Sequence, residues 1–345
     1  EEHKLKRFFA LFLIVVLVLS ACGRPSGDST SNEGDSGDVY KIRIAYLVSE
    51  DQSTHIASEQ LKEKLETESD GRIQVELYPN GSLFPSDREA IEAVQLGNVE
   101  MTIPAVAALS SFNKKFMVFD LPFLFDTYEE VYNALDGELG QELLTELEEN
   151  NIKGLVFGAN GFRHMTNNEG PIESPDDLKG LKIRTMESPV QTDSFKAWGA
   201  NASPFAFGEL YTAIQQGTYD GMENPISLIY THKFYEVQDY LTLSGHFYAP
   251  TALLINNDFY NSLPEDLQEL VMEAALEYRT EQRKLAEQQD KEWIEELKEF
   301  GMQVNELTDE QKEEFRTAAE SVYDQYASEI SEDVIEKAFK AKESN

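Results

Sequence analysis

Four side chains between Arg163 and Asn224 are of types that can hold an anion. Arg184 ends the strand-like Leu181–Arg184, Arg163 follows Gly161 and Phe162, Phe207 lies in SPFAFGELY, and Asn224 precedes a proline. A guanidinium presents two parallel N–H donors that match the two oxygens of a carboxylate. Pro225 pushes Asn224 toward an extended backbone, which suits it to presenting its amide. An aromatic ring can cover a carbon skeleton. Each residue also has a plainer reading. Arg184 can be a solvated strand end, Arg163 can pair with one of the many acids, Asn224 can cap a turn, and Phe207 can be core. Arg88 lies near a helix start, whose dipole favours anions, or is a surface residue paired with Asp87 or Glu89. His55 either caps its helix or contacts ligand. Tyr211 and Gln215 are read as structural, and Glu209 is left outside the site. The neighbourhoods Gln52–His55 and Asp87–Glu89 are where further contacts are sought.

The formal charge of −35 argues against nucleic acid, whose phosphates would be repelled. It does not forbid a small anion, because screening acts over roughly 8 Å at physiological salt and a local pair of arginines outweighs a distant acidic surface. Enzymatic signatures are missing from the sequence: there is no GxSxG elbow, no GxxxxGK[ST] loop and no HExxH. No catalytic residue, metal or cofactor is expected.

Cys22 is the single cysteine. Lys4, Lys6 and Arg7 precede the apolar run Phe8–Leu19, which is followed by Leu19-Ser20-Ala21-Cys22-Gly23. A basic start, a short apolar core and small residues describe a secretory signal; a membrane span needs ~20 apolar residues. The ending resembles a bacterial lipobox, which makes residues 1–21 a lipoprotein signal peptide and Cys22 the lipidated residue. Residues 22–38, rich in Gly, Ser, Asp and Asn, read as a flexible tether.

Beyond the tether the elements alternate. Ile42, Ile44 and Tyr46 form a strand, His55–Glu68 a helix, and Ile73, Val75 and Leu77 a strand. Asp87–Leu96 is a helix stopped by Gly97, and Val99–Pro104 a short buried strand. This is the opening of a parallel α/β sheet, which binds ligands beyond the carboxyl ends of its strands. The aromatic run Phe116–Phe125 around Asp120 reads as core. Tyr128–Asn150 reads as one helix and Ile152–Phe157 as a strand. Ser188-Pro189 starts a helix that stops at Gly199, and Glu209–Gln216 is another. Tyr240–Leu243 and Thr251–Asn256 are separate strands, and Pro264–Phe300 is one helix of roughly 50 Å. Met302–Asn305 adds a strand, and Asp309–Lys340 is helical.

GFRHMT, DLKGLKIRTMESP, FGELYTAIQQG and DGMENP, with DLPFLF and HKFYEVQ, together resemble the DctP-type substrate-binding proteins of tripartite ATP-independent periplasmic (TRAP) transporters, over nearly all of the chain past the tether. The resemblance implies a periplasmic-binding-protein-like fold: two α/β domains with a ligand cleft between them and a long helix spanning both. The expected division is 39–160 plus 250–289 for the first domain and 161–249 plus 290–345 for the second. The resemblance further implies an extracytoplasmic receptor that closes on a small organic acid, and the lipobox-like ending at Cys22 implies that it is lipid-anchored to the cell membrane. A C4-dicarboxylate or a sugar acid is the expected ligand, and the small and large TRAP membrane subunits are the expected partners. In the family, the arginine matching Arg184 binds the ligand carboxylate bidentately. Those matching Arg163 and Asn224 assist, and the aromatic matching Phe207 packs on the ligand. A receptor feeding a membrane sensor kinase would share this chemistry, and a carboxylate-processing enzyme is a third reading.

Overall fold

A computed structural model describes residues 38–343; the leader, Cys22 and nearly all of the tether lie outside the described residues. From Val39 onward the chain forms one compact unit. Its strands are β1 (Tyr40–Ala45), β2 (Ile73–Tyr78), β3 (Met101–Thr102), β4 (Ile152–Asn167), β5 (Lys182–Thr185), β6 (Asn201–Pro204), β7 (Gly221–Pro225), β8 (Tyr240–Asn256) and β9 (Gln303–Glu306). The helices are α1 (Ser53–Glu68), α2 (Asp87–Gln95), α3 (Tyr128–Asp136), α4 (Glu138–Glu146), α5 (Pro189–Ala197), α6 (Leu210–Gln215), α7 (Ile226–Thr231), α8 (Asn257–Ser262), α9 (Glu265–Glu299), α10 (Asp309–Ala318), α11 (Glu320–Ile330) and α12 (Glu332–Lys342).

The nine strands of the described residues form one sheet in the order β2-β1-β3-β8-β4-β7-β5-β6, with β9 also on β8. The opening strands β2, β1 and β3 are parallel, as the alternating sequence implies. The long antiparallel pair β4–β8 crosses the middle. Each end of that pair has its own neighbours: β3 meets β8 at Leu254–Ile255, whereas β7 meets β4 only from Arg163 onward and β9 meets β8 only at Tyr240–Leu243. The buried side of helix α9 is apolar towards both ends and carries Gln282, Arg283 and Asp290 in its middle. Its first half (Leu267, Val271, Ala274, Tyr278) packs with Ile42 and Ile44 of β1, and its second half (Trp293, Leu297) packs with Met222 and Ile229.

The central crossing departs from the sequence reading. The expected strand Ile152–Phe157 continues ten residues further, to Asn167, and the two strands expected at 240–243 and 251–256 are one. Gly158, Gly161, Gly245 and Pro250 are weak strand residues, and pairing across the sheet overrides that local preference. The ladder shifts register between Ala159 and Gly161, opposite Pro250 and Ala249, and a bulge is where a strand tolerates a proline that cannot donate. Gln282 of α9 completes the bonding there: its Oε1 accepts from Ala159 N at 2.8 Å and its Nε2 donates to Ala159 O at 2.6 Å.

The expected helix 128–150 is broken at Gly137, where a Cβ would stand 2.5 Å from Asn133 O. The helical 309–340 is three helices, parted at Ala319 between α10 and α11 and at Ser331, which takes φ 91°, between α11 and α12. Asp120 sits in the aromatic core, where Ser188 Oγ and Gln191 Nε2 each donate to it at 2.7 Å and so tie it to the start of α5.

Gly161 has φ +105°, and a Cβ there would lie 2.5 Å from Asp290 Oδ2 on α9. Gly161→Ala is therefore expected to cost about 1–3 kcal/mol from backbone conformation alone, read as a lower urea midpoint. Asp290 accepts from Tyr128 Oη at 2.8 Å and its Oδ1 has no partner. Burial pushes its carboxyl up to about 7, with the Tyr128 bond opposing and Glu287 adding to the shift. A raised folded-state carboxyl favours the fold below its unfolded pKa, and that contribution disappears as pH rises through the folded value. Asp290→Asn is thus expected to gain stability relative to wild type between about pH 4 and 7. Paired urea titrations across that range check this; a pH-independent difference would contradict it. Reading the difference removes the opposing slope of His164, His232 and His246, which burial holds below the usual histidine range.

Candidate ligand-binding site

β5 carries Arg184 between β7 and β6, opposite Met222 on one side and Ser203 on the other. The residue is 2% exposed. Its Nε donates to Phe205 O at 2.8 Å, and Nη1 is buried without a partner. Among the described residues it has no ion pair with an acid. Burial lowers its pKa to about 10, with Glu223 opposing and Arg163 adding, so it stays a cation at neutral pH. A buried charge without a partner is costly, and a structure retains one chiefly where something else is to bind it.

Arg163 comes from the crossing strand β4, where it pairs with Pro225 and Phe247 in register. It is equally buried but already engaged. Nε and Nη2 take both carboxylate oxygens of Glu223, and Nη2 also donates to Glu223 O at 2.8 Å and to Asn224 Oδ1 at 3.2 Å. None of these bonds uses Nη1. Burial would raise the Glu223 carboxyl, but Arg163 and His246 outweigh it and hold Glu223 below the usual range. Asn224, the next residue on β7, has its amide N–H directed only at the Met222 sulfur, at 2.8 Å, a weak acceptor. Phe207 is half-buried and packs edge-on to His232, with ring centroids 4.7 Å apart.

Arg184, Arg163, Asn224 and Phe207 line one cavity. The cavity volume is about 40 Å³. Asn160, Met186 and Asp87 join them, and Leu47, Val48, Ile103, Ala105 and Leu228 form apolar wall. Hydrophobic walls with a few converging polar groups are the usual make-up of a small-molecule site.

Two expected residues are elsewhere. Arg88 is exposed and paired with Glu92 at 3.0 Å on the same helix. α2 turns Asp87 to the cavity and Arg88 to solvent, since successive helical residues point about 100° apart. His55 neither caps α1 nor lines this cavity. Gln52 is the N-cap position, and His55 Nδ1 is 2.7 Å from Tyr46 Oη at the edge of an outer groove. Asp87 and Glu223 were missed as individual residues. Asp87 lay within a neighbourhood that the sequence singled out. For Glu223 the available signal was an acid within a short strand beside Asn224, which needs a cation once buried.

An α/β protein whose central cavity joins an unpaired guanidinium, an amide and an aromatic wall is built to hold a small anion: it is a solute-binding protein. Residues 44–329 match the DctP model, bacterial extracellular solute-binding protein, family 7, and the chain belongs to this family of non-enzymatic, extracytoplasmic TRAP receptors. It is 36% identical over 290 residues to the C4-dicarboxylate-binding protein DctB of Bacillus subtilis, covering 84% of this chain and 83% of that one. In fold it resembles the sugar acid binding protein DctPAm of Advenella mimigardefordensis in complex with galactonate, with TM-score 0.86, 36% identity, and 88% and 98% of the two chains covered. A TRAP periplasmic solute-binding protein of Sulfurospirillum deleyianum with bound succinate superposes at TM-score 0.83 with 34% identity, covering 88% and 99%.

Proposed function

We propose that this protein captures a small organic acid, a C4-dicarboxylate or a sugar acid, by its carboxylate and delivers it to the small and large membrane subunits of a TRAP transporter. The buried, unpaired guanidinium of Arg184 carries this reading. A carboxylate there accepts from the Nη atoms of Arg184, with Asn224 Nδ2 and Arg163 Nη1 as further donors, and Phe207 covers the carbon chain. Relatives solved with galactonate and with succinate, and one named for C4-dicarboxylates, support the ligand class.

Arg184 and Arg163 are 2% and 1% exposed, so a ligand reaches them only when the walls part. We place the hinge at the Ala159–Gly161 bulge facing Ala249–Pro250, between a lobe of 39–160 plus 250–289 and one of 161–249 plus 290–345. The ligand favours the closed form by its greater affinity for it. Lipidation of Cys22, with residues 22–38 as tether, keeps the receptor at the membrane surface.

The test is a thermal-shift and calorimetric panel on refolded, ligand-free protein, with each acid paired against its methyl ester. At 100 times its Kd a ligand stabilises by about 2.7 kcal/mol. A shift that needs the free carboxylate is expected; a folded, empty protein that answers to no carboxylate would refute the reading.

A further inference from the structure

Charge balance around the cavity narrows the ligand class. Two arginines line it, but Arg163 is already neutralised by the fully buried Glu223. Arg184 is therefore the one uncompensated positive charge on the lining among the described residues. Asp87 lines the same cavity, and its Oδ2 accepts from Ala105 N at 3.2 Å. Burial raises the Asp87 carboxyl to about 7, and the charges facing it are Arg184, Glu187 and Arg163. The site thus supplies one positive charge when Asp87 is protonated and none when it is ionised. A monoanion leaves the closed cavity neutral or singly charged. A dianion adds a second carboxylate with no cation to meet it and with Asp87 among its neighbours, and burying an uncompensated charge is costly.

The hydrogen-bond inventory points the same way. On the donor side are Arg184 Nη1, Arg163 Nη1 and Asn224 Nδ2, together with the amide N–H groups of Asn160, whose Oδ1 already accepts from Gln52 Nε2 at 3.2 Å. On the acceptor side, Asn224 Oδ1 is taken by Arg163, which leaves Asp87 Oδ1 to receive a ligand donor. A complementary ligand carries one carboxylate at one end and O–H donors further along a short chain.

We infer that Asp87 is the specificity-determining residue of this site and that it selects a polyhydroxy monocarboxylate, an aldonic-type sugar acid, over a C4-dicarboxylate. The carboxylate sits on Arg184 and a ligand hydroxyl donates to Asp87 Oδ1. The selection is partly repulsive, as specificity often requires. This inference rests on the carboxylate-receptor reading above.

Calorimetry with D-erythronate and succinate tests it, because both have four carbons and differ in charge and hydroxyls; D-galactonate extends the series to six carbons. Wild type is expected to bind at least one of the two hydroxy acids about ten-fold or more tighter than succinate. Asp87→Asn is expected to shrink that ratio by weakening the hydroxy acid and strengthening succinate; the asparagine oxygen can still accept from Ala105 N. Succinate binding more tightly than both hydroxy acids would overturn the assignment while leaving the receptor reading intact, as would an unchanged ratio in Asp87→Asn. Absence of binding by every carboxylate to folded, empty protein would overturn both. The wild-type comparison stands without the variant.

Discussion

Arg184→Ala is expected to weaken ligand binding by about 2–5 kcal/mol, the cost of truncating one partner of a buried charged pair, or roughly 30-fold to several thousand-fold in Kd. Arg184→Lys should fall short of wild type too, because an ammonium keeps the charge and loses the planar fork. The same substitution should not destabilise the empty protein. Arg184 has a single hydrogen bond, to Phe205 O, and a buried Nη1 with no partner, so its removal relieves a desolvated charge. Calorimetry on ligand-free protein, with urea unfolding beside it, separates the two effects. Unchanged affinity in Arg184→Ala would remove the residue from the site; a large loss of stability without ligand would make it a structural arginine.

Glu223→Ala is expected to do the reverse and act mainly on the fold. Arg163 and Glu223 are 1% and 0% exposed and bonded through two atoms of the guanidinium. Removing one member of such a pair leaves the other charged and buried, which costs about 3–5 kcal/mol. Here it also leaves Arg163 and Arg184 as uncompensated like charges on one cavity. Urea unfolding at neutral pH is the measurement, and a loss within experimental scatter would show that the pair is dispensable. The effect has a defined pH sense. Glu223 is held below the usual carboxylate range, so its contribution is present above the unfolded value, about 4.3, and lost as pH falls through the folded one. The gap between wild type and Glu223→Gln should therefore narrow in acid.

The two arginines look alike in sequence and differ in role because of one neighbour. Arg163 lies on β4 alongside β7, which brings Glu223 into contact. Arg184 lies on the other side of β7, paired with Met222, and among the described residues no acid forms an ion pair with it. Sequence spacing places both near one cleft, but it carries no information about which of the many acids becomes whose partner. The same limit explains Arg88 and Asp87. The helix from Asp87 is legible in the sequence, whereas the side of α2 that faces the cavity depends on how the helix packs, and one residue's rotation exchanges an arginine for an aspartate.

Local sequence determined much of the rest. Alternating apolar residues define β1 and β2, glycines end α2 and α5, and apolar residues at helical spacing towards both ends of Leu267–Leu297 specify α9. These signals act within a few residues, through side-chain periodicity and backbone dihedrals, so they survive without knowledge of the fold. The ordered motifs from GFRHMT to DGMENP were enough to indicate the family. Only the tertiary structure decided that β4 and β8 run unbroken through Gly161 and Pro250, because cross-strand bonds and Gln282 of α9 supply what those residues lack locally. It also decided the charge state of the cavity. The pairing of Glu223 with Arg163 joins residues 60 positions apart in the chain, Asp87 precedes Arg184 by 97 positions, and burial gives each of these charges its energy.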